Sequence, residues 1–212
     1  MVSSDHHGFK IRSPEMNKYM KNALEELKAF HKFSIENKVD YSIRSGSAIG
    51  YLTLETYFPW DDDIDISYSN ESYKKIFSLY NSGELQENLW KDNNWIFKSI
   101  ILDNEKYYIV KFRHSNWFKL IKNNGQIIKK QKDLGGLDIF PQSISIYQIK
   151  FQSKPIKINF CGTETMLVYD KQHIDELIRV YGHPSTWGKH LNDSEKIIRS
   201  NNLKKLFDEF NI

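Results

Sequence analysis

Residues 59–66 read Pro-Trp-Asp-Asp-Asp-Ile-Asp-Ile, and this segment limits the possible folds more than any other. Four carboxylates stand at positions 61, 62, 63 and 65, between Trp60 and the apolar pair Ile64 and Ile66. A charge run is ordinarily solvated surface, but a solvated loop gives Trp60 and two isoleucines no reason to flank it. In an extended strand, successive side chains point to opposite faces. Alternation therefore predicts Asp61, Asp63 and Asp65 on one face and Asp62, Ile64 and Ile66 on the other. If the isoleucines are buried, three like charges crowd together. Two such charges about 5 Å apart repel by roughly 3 kcal/mol at an effective dielectric of about 20. A positive partner has to offset this, and a hard divalent cation with oxygen ligands, Mg²⁺ or Mn²⁺, is the natural candidate.

Composition narrows the rest. The 212 residues fit one domain, expected over residues 13–212, after a flexible lead-in at 1–12. The net charge of +3 is too small for a polycation, and no basic stripe is interleaved with aromatics, so no nucleic-acid partner is expected. The single cysteine, Cys161, excludes an internal disulfide and a cysteine-based zinc site. It is expected as a small buried residue. The histidines lack any metal-ligand spacing. No run of apolar residues reaches membrane-spanning length and the N-terminus has no secretory signal. A soluble, cytoplasmic protein is the expectation; the sequence leaves the oligomeric state open.

Along the chain, Ser13-Pro14-Glu15 reads as a helix start, and Met20, Ala23, Leu24, Leu27, Phe30 and Phe33 predict one apolar face through about Asn37. Tyr41–Ile43 predicts a short strand. Ser45-Gly46-Ser47 opens a short helix, and the acidic strand follows. A helix capped by Ser69 or Asn70 is expected through Tyr73, Ile76, Phe77 and Tyr80. The middle is β-rich: Trp95–Leu102 and Tyr107–Arg113, then Phe118–Ile121 and Gln126–Ile128 around Asn123-Asn124-Gly125, then Gly136–Pro141. Ile156–Phe160 is one more strand, and helices return at about His173–Tyr181 and Asp193–Phe210. This order predicts an α+β (mixed α/β) domain, with a central mixed sheet flanked by helices and an added β-meander.

Three elements converge on one chemistry. Gly46-Ser47 sits between a strand and a helix, where glycine permits close approach and a helix N-terminus offers N–H groups to phosphate; an ordinary turn with an N-cap reads the same way. Asp63 and Asp65 have the D-x-D spacing that lets two carboxylates reach one metal. Asp138 is an acid in an otherwise apolar strand, costly to bury unless paired, either with a metal or with a nearby Lys or Arg.

Ser45-Gly-Ser-Ala-Ile-Gly50 followed by Pro59-Trp-Asp-Asp-Asp-Ile-Asp-Ile66 resembles the LicD/fukutin family of nucleotidyltransferase-fold phosphotransferases. Leu137-Asp-Ile-Phe-Pro141 is similar to that family's second signature, and Val180-Tyr-Gly182 ahead of Trp187 to its C-terminal element. The resemblance covers about residues 40–190. It implies transfer of a phospho-alcohol (phosphocholine, phospho-alditol or phosphosugar) from a CDP-linked donor to a glycan hydroxyl. It further implies that Asp63 and Asp65 hold Mg²⁺ or Mn²⁺, that Asp138 is a further ligand or the base, and that Asp61 supports them. Gly46 and Ser47 would meet donor phosphates. Members commonly carry Arg-His where this chain has Thr53-Leu54, so Arg44, Lys111 or Arg113 would supply the missing cation. Trp60, Tyr57 or Trp117 could stack on a sugar or base, although each fits a core role equally. The same carboxylates would also serve a nucleotidyltransferase moving an NMP group, or a silent nucleotide- or glycan-binding module.

Overall fold

Tyr41, Ile43, Ile64, Ile66 and Tyr68 are all at most 1% exposed, and they form the apolar face on which the domain is built. The computed structural model describes residues 5–6, 9–10, 14–61, 63–69, 71–72, 74–75, 78, 82, 95–102, 105–112, 120–123, 126–130, 137–141, 151–188 and 191–212, with the strands at 5–10 and 95–141 described through backbone path and register. Helix α1 (Pro14–Glu36) buries Met20, Ala23, Leu27, Phe30 and Phe33 at the expected three- and four-residue steps. Phe30 meets Tyr41 edge-on at 5.0 Å, joining helix to sheet. The proposed cap, Ser13, lies outside the described residues.

The first strands, β1 (Asp5–His6) and β2 (Phe9–Lys10), pair as a short antiparallel ladder within the segment expected as a lead-in. The main sheet has five strands: β3 (Tyr41–Ile43), β4 (Ile64–Tyr68), β5 (Trp95–Leu102), β6 (Glu105–Phe112) and β9 (Leu137–Pro141). Their spatial order is β3-β4-β9-β6-β5. Only the β4–β9 pair is parallel. Two hairpins stand apart from it: β7 (Leu120–Asn123) with β8 (Gln126–Lys130), and β10 (Ile156–Phe160) with β11 (Thr163–Leu167). The β-rich middle is thus divided. Strands β5 and β6 widen the central sheet, and β7–β8 is a separate ladder; the turn residues 124–125 lie outside the described residues.

Strand β11 has no counterpart in the sequence reading. It alternates inward Thr163, Thr165 and Leu167 with outward residues, and two threonines in core positions weaken the apolar signal. Thr165 is fully buried because its hydroxyl bonds Tyr41 at 2.9 Å, and Tyr41 in turn bonds His31 at 2.8 Å. The connecting turn, Cys161-Gly162, has positive φ at both residues (53° and 79°), as a two-residue type I′ hairpin requires. Cys161, expected in the core, is therefore a half-buried turn residue, 2.9 Å from Thr56.

Helix α2 (Ser45–Leu54) buries six of its ten residues. A β carbon on Gly50 would stand 2.6 Å from the Thr56 carbonyl, so only glycine lets the 56–58 turn fold back onto the helix. Residues 71, 72, 74, 75 and 78 are helical, and Ser69 caps them by accepting the Ser72 N–H. Asn70, Tyr73, Ile76, Phe77 and Tyr80 lie outside the described residues. Helix α3 (Lys171–Tyr181) is capped by Asp170 and helix α4 (Asp193–Phe210) by a complete Asn192–Glu195 capping box. Asn202 of α4 donates to the Thr53 carbonyl at the end of α2. No helix among the described residues is long and apolar enough to cross a membrane.

Candidate active site

The acidic run becomes a strand only at Ile64, which corrects the expected face of three aligned carboxylates. Pro59 and Trp60 form a turn closed by the Asp61 N–H donating to the Phe58 carbonyl at 2.9 Å. Proline pre-sets φ for such a turn, so the chain is still bending through Asp63. Pleat parity applies to Asp65 alone. It is half-buried between Ile64 and Ile66, both fully buried on the opposite face. Asp61 and Asp63, also half-buried, reach this region from the turn. Asp62 lies outside the described residues. Trp60 stacks on the buried Phe58 at 4.7 Å, an interior use of that ring, and Tyr57 is half-buried, its hydroxyl pKa raised first by burial. Trp117 lies outside the described residues.

The N-terminus of α2 is held to Asp65 at two points. The Arg44 N–H donates to the Asp65 carbonyl at 2.9 Å, and the Asp65 N–H donates to Ser47 Oγ at 3.1 Å. Ser47 is buried, so its side chain fixes the backbone of Asp65 rather than facing outward toward a donor. Ser45 takes a left-handed φ of 50° to make the strand-to-helix turn, and Arg44 at the N-cap offers no side-chain cap. Into that helix start comes a carboxylate. Asp61 Oδ2 lies 3.2 Å from where a β carbon on Gly46 would be. A negative charge against the first turn of a helix is favoured by its dipole.

Asp138 joins through the sheet. In the parallel β4–β9 ladder Asp65 and Asp138 are register partners, and in the antiparallel β9–β6 ladder Asp138 is partnered by Lys111. Register partners fall on one face of a pleated sheet, so positions 65, 138 and 111 form a single rung of acid, acid and base. Of the two described cations considered from the sequence, Lys111 is the register partner of Asp138. Arg113 lies outside the described residues. Arg44 is committed elsewhere: its guanidinium pairs with the Glu176 carboxylate of α3, with side chains only 8% and 4% exposed.

That buried pair lies on the sheet face that parity gives to Asp65, where Ser42 and Ser67 line the same pocket. Burial pushes the Glu176 carboxyl pKa up, and Arg44 pulls it back down. His173, one turn earlier on α3, bonds the Val168 carbonyl through Nδ1, and its pKa is lowered first by burial. Ser42, Ser67, Val168 and Phe151 complete a small enclosed pocket with these three residues.

Among the described residues, no group of three His, Cys, Asp or Glu side chains stands close enough to hold a metal ion. Asp138 enters through its register position only. The donor chemistry of Asp63, Asp65 and Asp138 is all carboxylate oxygen, which suits a hard divalent ion and not a soft one.

Part of the chain, 57 residues, is 32% identical to the lipopolysaccharide cholinephosphotransferase LicD of Haemophilus influenzae. The match spans 27% of this chain and 22% of that protein, so it reaches well under two thirds of the relative's length. A crystal structure of an antigenic nucleotidyltransferase-like protein from Paracoccidioides brasiliensis superposes with a TM-score of 0.41 at 14% identity, over 88% of this chain and 76% of that one. The family described as LicD/FKTN/FKRP, nucleotidyltransferase domain, matches residues 38–162, more than half of the chain and the whole stretch from Gly46 to Asp138. The chain therefore belongs to the LicD/FKTN/FKRP family.

Proposed function

We propose that this protein transfers a phospho-alcohol group from a CDP-linked donor to a hydroxyl of a glycan, with Mg²⁺ or Mn²⁺ as its ion. The observation that carries the reading is the rung Asp65–Asp138, set beside a helix start that already holds Asp61. Family membership and the partial likeness to a cholinephosphotransferase support it.

In the proposed step the acceptor oxygen attacks the phosphorus that bears the alcohol. The bond from that phosphorus to the CMP oxygen breaks, CMP leaves, and a phosphodiester forms. A divalent ion at such a site neutralises phosphate oxygens and favours in-line attack. The residues divide the remaining work. Asp63 and Asp65 would hold the ion. Asp138 is a further ligand or takes the hydroxyl proton, with Asp61 second in that role. Gly46 leaves room for Asp61, Ser47 fixes the backbone of Asp65, and Arg44 braces the sheet against α3. Lys111, the register partner of Asp138, would neutralise donor phosphate in the absence of arginine at position 53.

The test is a screen of CDP-linked and other nucleotide-linked donors with Mg²⁺ or Mn²⁺ and glycan acceptors, read by mass spectrometry. Release of CMP together with a phospho-alcohol on the acceptor is the expected result. A nucleotidylated acceptor would replace the reading with NMP transfer. Asp63→Asn and Asp65→Asn should each lower turnover by about 100-fold or more with folding unchanged, and retained activity in either would reject the metal assignment.

A further inference from the structure

A cavity of about 200 Å³ opens at the far end of α2, away from the acidic rung. Its floor is the buried side chains of Ile158, Leu167 and Leu206, and its walls include Tyr51 and Tyr169. Glu55, Lys205 and Asn202 also line it. The volume lies below the roughly 300–1,000 Å³ of drug-sized pockets. It is room for one small ring and its substituents.

We propose that this cavity binds a single sugar ring, as an accessory subsite for the glycan; the proposal rests on the function proposed above. The lining chooses the ligand class. A carboxylate, an ammonium and an amide stand together around an aromatic and aliphatic interior. A charged ligand would meet a like charge in Lys205 or Glu55, and a bare hydrocarbon would displace water from the polar rim without replacing its hydrogen bonds. A neutral molecule with an apolar C–H face and many hydroxyls satisfies both halves of the lining.

The walls are set in advance, which reduces the ordering cost of binding. The Tyr169 hydroxyl donates to Glu209 at 2.6 Å and its ring meets Phe210 edge-on at 5.0 Å. Tyr51 packs against Phe160, and Asn202 is anchored by its bond to the Thr53 carbonyl. Glu55 ends α2 in the left-handed conformation with φ of 59°, as Asn211 ends α4, and this turn brings its side chain to the cavity.

The subsite stands apart from the reacting groups. At about 1.5 Å of rise per residue, the helix separates Gly46 from Glu55 by more than ~10 Å. The sugar bound here would be a neighbour of the accepting unit, not that unit itself.

The experiment is a titration of the full chain, labelled at its tyrosine rings for NMR, with a panel of neutral monosaccharides and with choline chloride. Saturable shifts of Tyr51 and Tyr169 by at least one neutral sugar are expected. Glu55→Gln and Lys205→Met, both at exposed positions, should weaken binding about tenfold without loss of fold. Asp65→Asn should bind the sugar unchanged while losing turnover, so the subsite and the transferase reading fail separately. Shifts with choline alone, no shift with any sugar, or equal weak shifts in every variant would each overturn the subsite.

Discussion

The carboxylate of Asp61 rests against Gly46, its Oδ2 3.2 Å and its Oδ1 3.4 Å from the position a β carbon would take. The first turn of α2 and the acidic turn before β4 are thus fitted to each other at a residue without a side chain. Gly46→Ala would displace the carboxylate by a few tenths of an ångström. The near oxygen, Oδ2, is itself buried, so stability should fall by about 1–3 kcal/mol. Turnover should fall about tenfold, since small misplacements near reacting groups are costly. Parallel denaturation and activity measurements check this; a stability loss without an activity loss would remove Asp61 from the site.

Lys111 gives the sharpest division between a structural and a functional role. Opposite Asp138 in the ladder, it either balances that acid for the fold alone or also meets donor phosphate. For a phosphate contact, Lys111→Met should raise donor KM about tenfold, and Lys111→Arg should recover most of the loss. A purely structural cross-strand pair would show lower stability in Lys111→Met with KM unchanged.

Arg44 and Glu176 should act as a unit. Removing one member of a buried ion pair leaves the other charged and without compensation, at a cost of about 3–5 kcal/mol. Arg44→Met should therefore lose that much in chemical denaturation. The double variant Arg44→Met, Glu176→Leu should regain most of it. If the single and double variants are equally unstable, the loss comes from packing of the arginine stem and not from the orphaned carboxylate.

His173 predicts a pH effect on stability. Its folded pKa lies below the ordinary value of 6.5, because burial and Arg44 disfavour the imidazolium; the Val168 bond and Asp170 act the other way. Below pH 6.5 the unfolded chain binds a proton that the folded chain refuses. The contribution is complete above 6.5 and is lost as pH falls below it, with a limiting slope of about 1.4 kcal/mol per pH unit. Glu176, raised by burial, acts in the same pocket with the opposite sign. Denaturation at several pH values, in the parent and in His173→Gln, should show the slope flattened in the variant as pH falls below 6.5.

Much of the fold was legible because periodicity and capping reported the same boundaries. Helix α1, helix α4 and strand β9 fall within a residue or two of where the sequence predicts them. The limits are equally physical. Thr165 is a core residue only because Tyr41 and His31 extend a polar chain to it, and no local pattern encodes a partner so distant in the chain. The acidic run misleads over its first half because Pro59 turns the chain before extension begins, so alternation starts at Ile64 and not at Asp61. Arg44 looked available because nothing near it in sequence foretells Glu176 of α3. Conversely, the pairing of Lys111 with Asp138 needed the register of two ladders, which no single segment carries.

The one parallel contact among the described strands of the sheet also sets when the proposed site can be complete. Asp65 and Asp138 become neighbours only once β9 has travelled back across the intervening hairpins and docked beside β4. Such closure is entropically expensive and late, since distant segments gain nothing until they meet. A chain caught halfway through folding or synthesis would hold its acidic turn and first helices without the second acid. Under the metal assignment proposed above, Mn²⁺ would report on the completed β4–β9 seam and stay silent before it.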